Sequence, residues 1–573
     1  MQTKIHKVDL CVIGGGLAGM SAAIAAAQHG TKVVLMQDRP VLGGNASSEI
    51  RMGISGAHGE YNRETGIIDQ ILMENLYRNS GKNWSLWDSV LYKKVKFEDN
   101  ISLLLNCSCN DATMDNNRIK SIKGWQLTTE TWHIVEAEFF ADCSGDSILA
   151  PLSGAEFRQG REAEAEFKES IAPTQADDKT MGMSLLIQAR ETEKPQEFIP
   201  PEWAFKYKTD SELQNRDHQL PGNNFWWIEI GGEQDTIHDS ENLRDELLKI
   251  AFGVWDHIKN EGDHKADNWK LEWLGFLPGK RESRRYVGKY ILNQNDVRSE
   301  GKFEDLVAYG GWTMDVHHPA GFYHSGDPTI FHSAPSPFGI PYRSLYSVNI
   351  ENLFFAGRNI SATHVAMSAT RVMATCATMG QAVGTAAAIA IDNDLTPHEV
   401  YQEKIILLKQ KLMTDDCYLP GNVREINKLT KEAKLTSSEG DPAPLRNGID
   451  RPVNGNNNCW EGSLNSWVEY SFDIPQQITG IRLVFDNNLN PSLHMPCDYP
   501  LDKEDDKMPK KLIKNFRIEA LTNGKWSVII KIKNNYQRLV KIQKKCKADA
   551  FRIIPEETWG AEKAVLFAWD LIG

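Results

Sequence analysis

The sequence predicts an α/β protein in three parts, and three observations support that fold class. A short apolar stretch, Val8 to Ile13, leads into closely spaced glycines and then an alanine-rich helix. The stretch from about 155 to 350 does not repeat that strand, glycine and helix pattern. After about Lys434 the chain turns to short β-like runs separated by turn residues. We therefore expect an α/β domain built on a parallel sheet, an inserted α+β domain and a C-terminal β-sandwich.

The glycines of the first part have the G-x-G-x-x-G spacing. Gly14 permits a tight turn after the strand, and Gly16 lets a pyrophosphate approach the backbone. Gly19 lets the helix pack closely against the sheet. Because these glycines lie between a strand and a helix, they predict a Rossmann-like dinucleotide site.

The helix and the strand that follows it complete this pattern. Leu17 and Ala18 begin the helix, where free backbone N–H groups and the positive end of the dipole meet phosphates. The second strand is predicted over 32–37. The acid that usually binds the ribose ends this strand, but here the position holds Gln37, followed by Asp38. A glutamine can accept a ribose hydroxyl through its amide oxygen, so both residues are cofactor-binding candidates.

Composition narrows the class of protein. A chain of 573 residues is expected to form two or three domains, and a net charge of −13 disfavours nucleic acid and anionic membranes as partners. The nine cysteines show neither zinc spacing nor C-x-x-C, so we predict no metal site and no dithiol chemistry. The apolar run Val372 to Ile391 predicts a buried helix and no membrane span. No signal peptide is visible, which predicts a cytoplasmic location unless an export signal has been trimmed.

The loop after the second strand carries a family resemblance. Paired glycines followed by small hydroxyl and amide residues suit a loop pressed against a phosphate or a flavin ring. With the glycine spacing before it, this loop resembles that of FAD-dependent oxidoreductases in the glutathione-reductase-like superfamily, and more narrowly the FAD-dependent oxidoreductase family. The resemblance implies that FAD is the cofactor and that this segment lies along its pyrophosphate. The cofactor-binding candidates that it implies are Arg39, Gly43, Gly44, Asn45, Ser47 and Arg51.

Two later turns extend the resemblance, which covers roughly residues 8 to 392. The stretch 139–146 is similar to the second conserved turn of the superfamily, and this implies that Gly145 lies near the cofactor. The stretch 352–361 is similar to the last FAD motif, with Gly357 at its turn. The resemblance implies that Gly357 and Arg358 bind the cofactor, but Arg358 stands where the wider superfamily has Asp, so the ribityl contacts of that Asp are not carried over.

A long helix opens within Ser368 to Cys376 and continues to Ile391. In the superfamily, the N-terminus of this helix points at the N1–C2=O edge of the flavin, where a helix dipole stabilises the negative charge of the reduced ring. The resemblance implies that Val372 contacts FAD and that Arg371 adds positive charge there. A structural salt bridge is the alternative role for Arg371.

The inserted part is expected to bind the substrate. It contains an aromatic strand, 225–232, and a helix, 241–260, that has an apolar stripe and a capping residue at Ser240. A cluster of arginines follows within 277–285. This cluster forms either a salt-bridge network or an anchor for an acidic or polyhydroxylated substrate.

Two histidines in the insertion are candidate bases. His317 and His318 lie in a stretch that is rich in glycine and aromatic residues, beside Asp315. A neutral histidine is the usual acceptor for a hydroxyl proton near pH 7. Metal binding by these three residues and a non-catalytic loop are the alternatives.

In the C-terminal part, the stretch 433–438 followed by 467–472 is similar to discoidin-like and related carbohydrate-binding modules. The strand-like runs of this part have the spacing and the turn residues of a β-sandwich. Trp460 and Trp467 either stack on a sugar or pack in the core.

Together these observations predict a nucleotide-binding domain over 1–155 and 350–430, a substrate domain over 156–349 and a β-sandwich over 434–573. We expect an FAD-dependent oxidoreductase that oxidises a hydroxyl-bearing substrate, preferably a sugar or glycoside, by hydride transfer to flavin N5. Two alternatives stay open: a redox-neutral elimination through a transient keto-sugar, and a carbohydrate-binding protein with a vestigial flavin site. The electron acceptor and the formation of a homo-oligomer are not determined by the sequence.

Overall fold

The computed structural model describes residues 2–220, 222–496 and 507–573, and these form two compact units. The first unit comprises 2–57, 82–220, 222–408 and 494–496. The second unit comprises 58–81, 409–493 and 507–573. This division differs from the predicted boundaries, because 58–81 and 409–433 fold with the C-terminal part.

The strands and helices are numbered in chain order. The strands are β1 Gln2–Ile13, β2 Val33–Met36, β3 Ile101–Leu104, β4 Cys107–Asp115, β5 Arg118–Gln126, β6 Thr131–Asp142, β7 Phe157–Arg158, β8 Met183–Ser184, β9 Ile187–Glu191, β10 Glu229–Ile230, β11 Trp269–Leu274, β12 Gly279–Lys280, β13 Arg285–Tyr286, β14 Leu306–Gly310, β15 Met314–His317, β16 Thr329–His332, β17 Phe338–Pro341, β18 Leu353–Phe355, β19 Lys434–Ser437, β20 Trp460–Ser463, β21 Val468–Phe485, β22 Ile513–Thr522, β23 Lys525–Ile532, β24 Leu539–Thr558 and β25 Lys563–Ile572. The helices are α1 Leu17–Gln28, α2 Ile67–Arg78, α3 Trp84–Lys96, α4 Leu149–Ser153, α5 Glu164–Phe167, α6 Ser240–Asp256, α7 Gln294–Arg298, α8 His364–Thr370, α9 Met373–Asn393, α10 Pro397–Thr414 and α11 Lys428–Glu432.

A seven-stranded sheet organises the first unit. Its order is β3-β2-β1-β6-β5-β4, and β18 pairs with β6 off this path. β1 runs parallel to β2 and β6, and β18 runs parallel to β6. The loops after β1, β2, β6 and β18 therefore meet at one edge of the sheet, where open α/β sheets bind their ligands.

Helices α1 and α9 pack closely because both are built from small residues. A Cβ atom added at Gly380 would lie 2.0 Å from the carbonyl oxygen of Ala18, and one added at Gly384 would lie 2.1 Å from that of Ala22. α9 is long and apolar enough to cross a membrane by length and composition, and 94% of its most apolar window is buried inside the structure. The predicted buried helix is therefore present.

The segment between the second and fourth strands differs from its sequence prediction. The pattern of 95–110 predicts one strand, whereas the structure ends helix α3 at Lys96 and then forms β3 and β4. Asn83 caps α3 by accepting a hydrogen bond from the backbone N–H of Leu86 at 3.1 Å. An N-cap asparagine satisfies an otherwise unpaired donor of the first turn.

The insertion packs around α6. The predicted apolar stripe is buried, and Leu247, Val254 and Trp255 are fully enclosed among strand residues of the same domain. The helix begins one residue earlier than predicted, at Ser240, and ends in a π-helical turn at His257–Glu261. Strands of two small antiparallel sheets, β10-β8-β12 and β11-β9, contribute to the same core, and the insertion also contains the antiparallel pairs β14-β17 and β15-β16.

The second unit is the predicted antiparallel β-sandwich. Its strand order is β20-β25-β21-β24-β22-β23, and β19 pairs with β21. Register shifts interrupt the pairing of the long strands β21 and β24, and such irregularities allow long strands to bend. Trp460 is fully buried and donates to the carbonyl oxygen of Glu439, so it is a core residue, whereas Trp467 is partly exposed. The charged stretch 502–514 is typical of a loop, and it lies partly outside the described residues.

Buried polar contacts tie 58–81 into the second unit. The Asp69 carboxylate accepts two hydrogen bonds from Asn487, at 3.0 and 2.9 Å. The Arg451 guanidinium donates to the carbonyl oxygen of Tyr61 at 2.9 Å. These partners are hundreds of residues apart in the chain, so no local pattern could reveal them.

Candidate active site

A cavity of about 380 Å³ lies at the carboxyl edge of the parallel sheet, within the first unit. Its lining combines the turns after β1, β2, β6 and β18. The sequence-predicted residues that line it are Gly14, Gly16, Leu17, Ala18, Gln37, Asp38, Arg39, Gly43, Gly44, Asn45, Gly145, Gly357, Arg358 and Arg371. Four segments that are distant in sequence therefore surround one space of the size that small-molecule ligands occupy.

The glycine turn and the second loop press against each other. The backbone N–H of Gly43 donates to the carbonyl oxygen of Gly15 at 2.8 Å. A Cβ added at Gly16 would meet only the Cα of Gly44, at 3.8 Å, so any side chain there would project into the cavity. α1 starts at this point with no acidic residue in its first turn. This uncovered backbone and the helix N-terminus fit a diphosphate.

Gln37 forms hydrogen bonds with both the glycine turn and the second loop. Its amide oxygen accepts the backbone N–H of Gly15 at 2.6 Å, and its amide nitrogen donates to the carbonyl oxygen of Val41 at 3.2 Å. The amide oxygen that could receive a ribose hydroxyl therefore already accepts one hydrogen bond, although a carbonyl oxygen has two lone pairs. Asp38 lies beside it with a largely exposed side chain.

An ion-pair cluster forms another wall of the cavity. Asp146 pairs with Arg358 at 2.5 Å and with Lys280 at 2.9 Å, and it accepts a hydrogen bond from Ser283. Burial alone would raise the pKa of Asp146, but these two cations and the hydrogen bonds lower it to about 2. The Nη1 atom of Arg358 is buried and has no hydrogen-bond partner among the described residues, so it can still meet an anionic or polar ligand atom.

Four predicted cofactor residues lie outside the lining of this cavity; Val372 lines the second cavity described below, and the other three lie elsewhere. A Cβ at Gly19 would lie 1.8 Å from the carbonyl oxygen of Gly14, so Gly19 serves the close packing of α1. Ser47 is fully buried within the second loop. Arg51 donates to Gln188 at 2.7 Å and lies over the Trp273 ring at 4.4 Å. Contact of these three residues with the cofactor remains a prediction.

A second cavity, of about 250 Å³, adjoins the first; we call it the chamber. Asn45, Lys280, Arg358, Arg371 and Met373 line both spaces. The other lining residues of the chamber include Val372 and a polar and aromatic set from the insertion: Asn224, Trp226, Arg281, Trp312, Asp315, His317 and Phe331. The chamber is thus lined both by residues predicted to bind the cofactor and by residues of the insertion.

His317 lies between two carboxylates in the wall of the chamber. Its Nδ1 atom is 2.6 Å from Glu229 Oε2, and its Nε2 atom is 3.2 Å from Asp315 Oδ2. β15 positions His317 and Asp315 two residues apart, so both side chains are on the same face of the strand. β10 carries Glu229 from the other side.

Arginines neutralise both carboxylates. Arg281 lies 3.2 Å from Glu229, and Arg371 lies 2.9 Å from Asp315. Burial alone would raise the pKa of Glu229, but its contacts with Arg281 and His317 and the nearby Arg371 lower it. The pKa of Asp315 is likewise lowered against the effect of burial, by His317, Arg371 and a hydrogen bond from Thr329. Both groups are therefore carboxylates near neutral pH.

His318 is not part of this arrangement. Its ring stacks on that of His324 with 3.6 Å between centroids, and its Nδ1 atom accepts the backbone N–H of Ala320. The three-ligand metal alternative is therefore not supported, because His318 does not join Asp315 and His317 in the chamber.

The arginine cluster of the insertion forms the predicted salt-bridge network, and its role as a substrate anchor stays a prediction. Arg285 is buried and pairs with Glu162 at 3.0 Å, as a salt-bridge network requires. Arg281 pairs with Glu229 and also faces the chamber, where it can contact a substrate.

Sequence reasoning missed the role of Glu229. It is a lone acid in an otherwise aromatic and apolar strand, and that contrast was the available signal. Its partner His317 lies 88 residues further along the chain, so only the fold shows the pair.

The parallel sheet, the glycine turn after β1 and the cavity at the carboxyl edge of the sheet are the features of a dinucleotide-binding protein. A model of the FAD dependent oxidoreductase family matches residues 9–412, and the chain belongs to that family. FAD is therefore its cofactor.

Curated relatives match only short segments of the chain. Polyamine oxidase 5 of Oryza sativa subsp. japonica is 36% identical over 97 residues, 16% of this chain and 20% of that protein. The fumarate reductase (cytochrome) of Shewanella frigidimarina is 56% identical over 39 residues, 7% of each chain. The chain thus spans a fifth or less of the length of these relatives, and their similarity does not extend to a substrate.

Solved structures match the C-terminal quarter. The family 32 carbohydrate-binding module of Streptococcus pneumoniae EndoD is 13% identical, covering 25% of this chain and 97% of its own, with a TM-score of 0.20. The family 32 module of C. perfringens NanJ, in complex with galactose, is 10% identical, covering 25% and 95%, with a TM-score of 0.18. Sequence identities and TM-scores this low give no information about a ligand of this chain.

Proposed function

We propose that this oxidoreductase removes a hydride from a carbon that bears a hydroxyl group, preferably on a sugar or glycoside, with His317 accepting the hydroxyl proton. Bound FAD would supply the two-electron acceptor, taking the hydride at N5. The observation that carries this proposal is the position of His317 between Glu229 and Asp315, in a chamber that shares its wall with the cofactor cavity.

The contacts of His317 suit a general base. The short contact with Glu229 favours a proton on Nδ1, so that Nε2 has its lone pair available. Asp315 is further away, and its carboxylate is already engaged by Arg371 and Thr329. When Nε2 takes up a proton, Glu229 and Asp315 both stabilise the resulting imidazolium.

Positive charge surrounds the shared wall of the two cavities. Arg371, Arg358 and Lys280 all line it, and α9 begins there at Met373, directly after Val372. The Nε atom of Arg371 is buried and has no hydrogen-bond partner among the described residues. These cations and the helix N-terminus can stabilise the negative charge that accumulates on a two-electron acceptor.

The chamber suits a small polyhydroxylated molecule. Its volume of about 250 Å³ is near the lower end of the range for small-molecule sites. Trp226, Trp312 and Phe331 offer apolar ring faces, and Asn45 and Asn224 offer amide groups for hydroxyls. The preference for a sugar rests on this combination of rings and polar donors.

A redox-neutral elimination through a transient keto-sugar is the second candidate. An elimination needs a group that removes a proton next to the carbonyl, and Asp315 faces the chamber beside His317. The chamber thus holds an imidazole that can accept the hydroxyl proton and a carboxylate that can accept the proton next to the carbonyl.

An anaerobic titration of the purified holoenzyme tests both candidates. Sugars, glycosides and polyols are added one at a time, with no electron acceptor present. Flavin absorbance is recorded, and the products are then analysed. Bleaching of the oxidised flavin by a hydroxyl-bearing substrate supports oxidation, whereas cleavage of a glycoside over many turnovers with no net bleaching supports elimination. If no compound bleaches the flavin or is converted, the proposed substrate class is wrong.

A further inference from the structure

Four residues of the insertion that serve neither cavity come together at a separate point of the first unit. Asp210, His218, His257 and His264 each direct one ligand-type atom into a common space, and these atoms all lie within 4.8 Å of one another. Asp210 begins a short 3-10 turn, Asp210–Leu213, and His257 begins the π-helical turn after α6. His218 and His264 lie in the loops that follow these two elements.

The Nε2 atoms of the three histidines converge. His257 Nε2 lies 3.1 Å from His264 Nε2 and 3.0 Å from Asp210 Oδ1. Asp210 Oδ1 is also 3.5 Å from His264 Nε2 and 3.8 Å from His218 Nε2. In a tetrahedral site with Zn–N bonds of about 2.0–2.1 Å, neighbouring ligand atoms are roughly 3.3 Å apart. The observed separations lie on both sides of that value.

In two of the three histidines, the opposite ring nitrogen is held by a backbone carbonyl. His218 Nδ1 lies 2.5 Å from the carbonyl oxygen of Arg216, and His257 Nδ1 lies 2.9 Å from that of Tyr207. A donated Nδ1 proton leaves the Nε2 lone pair directed at the shared space. Metal-bound histidines commonly have their second nitrogen held in this way.

His218 gives an independent sign of a missing ligand. Its side chain is more than nine-tenths buried, and its Nε2 atom has no hydrogen-bond partner among the described residues. A buried polar nitrogen without a partner is costly, and metal coordination would satisfy it.

Gly262 keeps the space in front of two imidazoles open. A Cβ atom added at Gly262 would lie 2.3 Å from His264 Nε2 and 3.0 Å from His257 Nε2. Any larger residue at this position would therefore fill the space toward which these nitrogens point.

We infer that Asp210, His218, His257 and His264 bind one zinc ion that stabilises the substrate domain. Three imidazoles and one carboxylate match the nitrogen and oxygen ligands that zinc accepts, and four protein ligands are typical of a structural site. The Asp210 side chain is 71% exposed, so the ion can enter from solvent. Zinc would join the end of α6 to the segment around His218, which precedes Trp226 and β10 in the chain. The site was not predicted from the sequence, because its ligands are spread from 210 to 264 without a recognised spacing.

The test uses the full-length holoenzyme, produced without a polyhistidine tag. It is dialysed against a chelator, reconstituted with zinc, washed, and analysed for metal by mass spectrometry. We expect about one zinc per chain and a melting temperature at least about 3 °C above that of the chelated protein. Cobalt(II) in place of zinc should give the visible absorption of a tetrahedral complex.

Variants separate a built site from adventitious binding. Asp210→Ala changes an exposed side chain, so it should fold normally and yet lose most of the retained zinc, as should His257→Ala. His238→Ala is the control, because His238 is an exposed histidine that pairs with Asp235 outside this cluster. If wild-type protein retains no more zinc than Asp210→Ala, or if chelator and zinc leave its melting temperature unchanged, the inference is overturned.

Discussion

The Nδ1 atom of His317 lies 2.6 Å from the Oε2 atom of Glu229, and both side chains are almost fully buried. Arg281 touches the same Glu229 oxygen at 3.2 Å. The carboxylate therefore orients the imidazole and is itself kept ionised by a fixed cation. The pair brings together two strands of the insertion, since Glu229 lies on β10 and the proposed base His317 lies on β15.

Glu229→Gln should slow catalysis more than it weakens substrate binding. The amide can still contact Nδ1, but it no longer balances the positive charge that His317 gains when it accepts a proton. We expect kcat to fall at least about 10-fold, with KM changed much less. Steady-state kinetics at several pH values would measure this, and an unchanged kcat in a folded, flavin-loaded variant would contradict the role of Glu229.

Gly16→Val should abolish or strongly weaken FAD binding. The new side chain would enter the cavity where the backbone of Gly16 faces Gly44. We expect the purified variant to contain little flavin and to bind added FAD at least about 10-fold more weakly. Fluorescence titration with FAD measures this. Gly81→Val is the matched control, because an added Cβ at exposed Gly81 meets nothing within 4 Å. Equal flavin content in both variants would contradict the assignment of the FAD site to the turn at Gly16.

Gly380→Ala should destabilise the protein although it lies within a helix. Replacing glycine by alanine in a helix normally stabilises by about 0.5–1 kcal/mol. Here the added methyl group would lie 2.0 Å from the carbonyl oxygen of Ala18, so α1 and α9 must move apart. We expect a net loss of about 1–3 kcal/mol, seen as a lower melting temperature. A higher melting temperature would contradict the observed packing of the two helices.

Asp146 should contribute stability above pH 4 that disappears in acid. Its pKa in the folded protein is lowered to about 2, below the value of an unfolded chain, which is about 3.9. The contribution, about 2 kcal/mol, is complete above the unfolded value and is lost as pH falls toward the folded value. Melting curves of wild type and Asp146→Asn between pH 6 and 2 should therefore converge as the solution becomes more acidic. A difference that stays constant across this range would contradict the lowered pKa.

The sequence was most informative where the chemistry is local. The glycine turn, the second loop and the turns at Gly145 and Gly357 each carry a short pattern, and all of them line one cavity. The chamber could be predicted only in part, because His317 was visible as a candidate while its partner Glu229 lies on another strand. His318 has the same residue type one position later, but β15 ends at His317, and the ring of His318 stacks on that of His324. The second unit was harder to delimit, since 58–81 joins it through contacts such as that between Asp69 and Asn487.

The rate of anaerobic flavin reduction tests the central claim most directly. A substrate that bleaches the wild-type flavin is mixed in a stopped-flow instrument with wild type, His317→Asn and His318→Asn, all loaded with FAD. We predict that His317→Asn slows reduction about 10²- to 10⁴-fold, as expected for loss of a general base, whereas His318→Asn reduces at the wild-type rate. Reduction of His317→Asn at the wild-type rate, with flavin fully bound, would contradict the account.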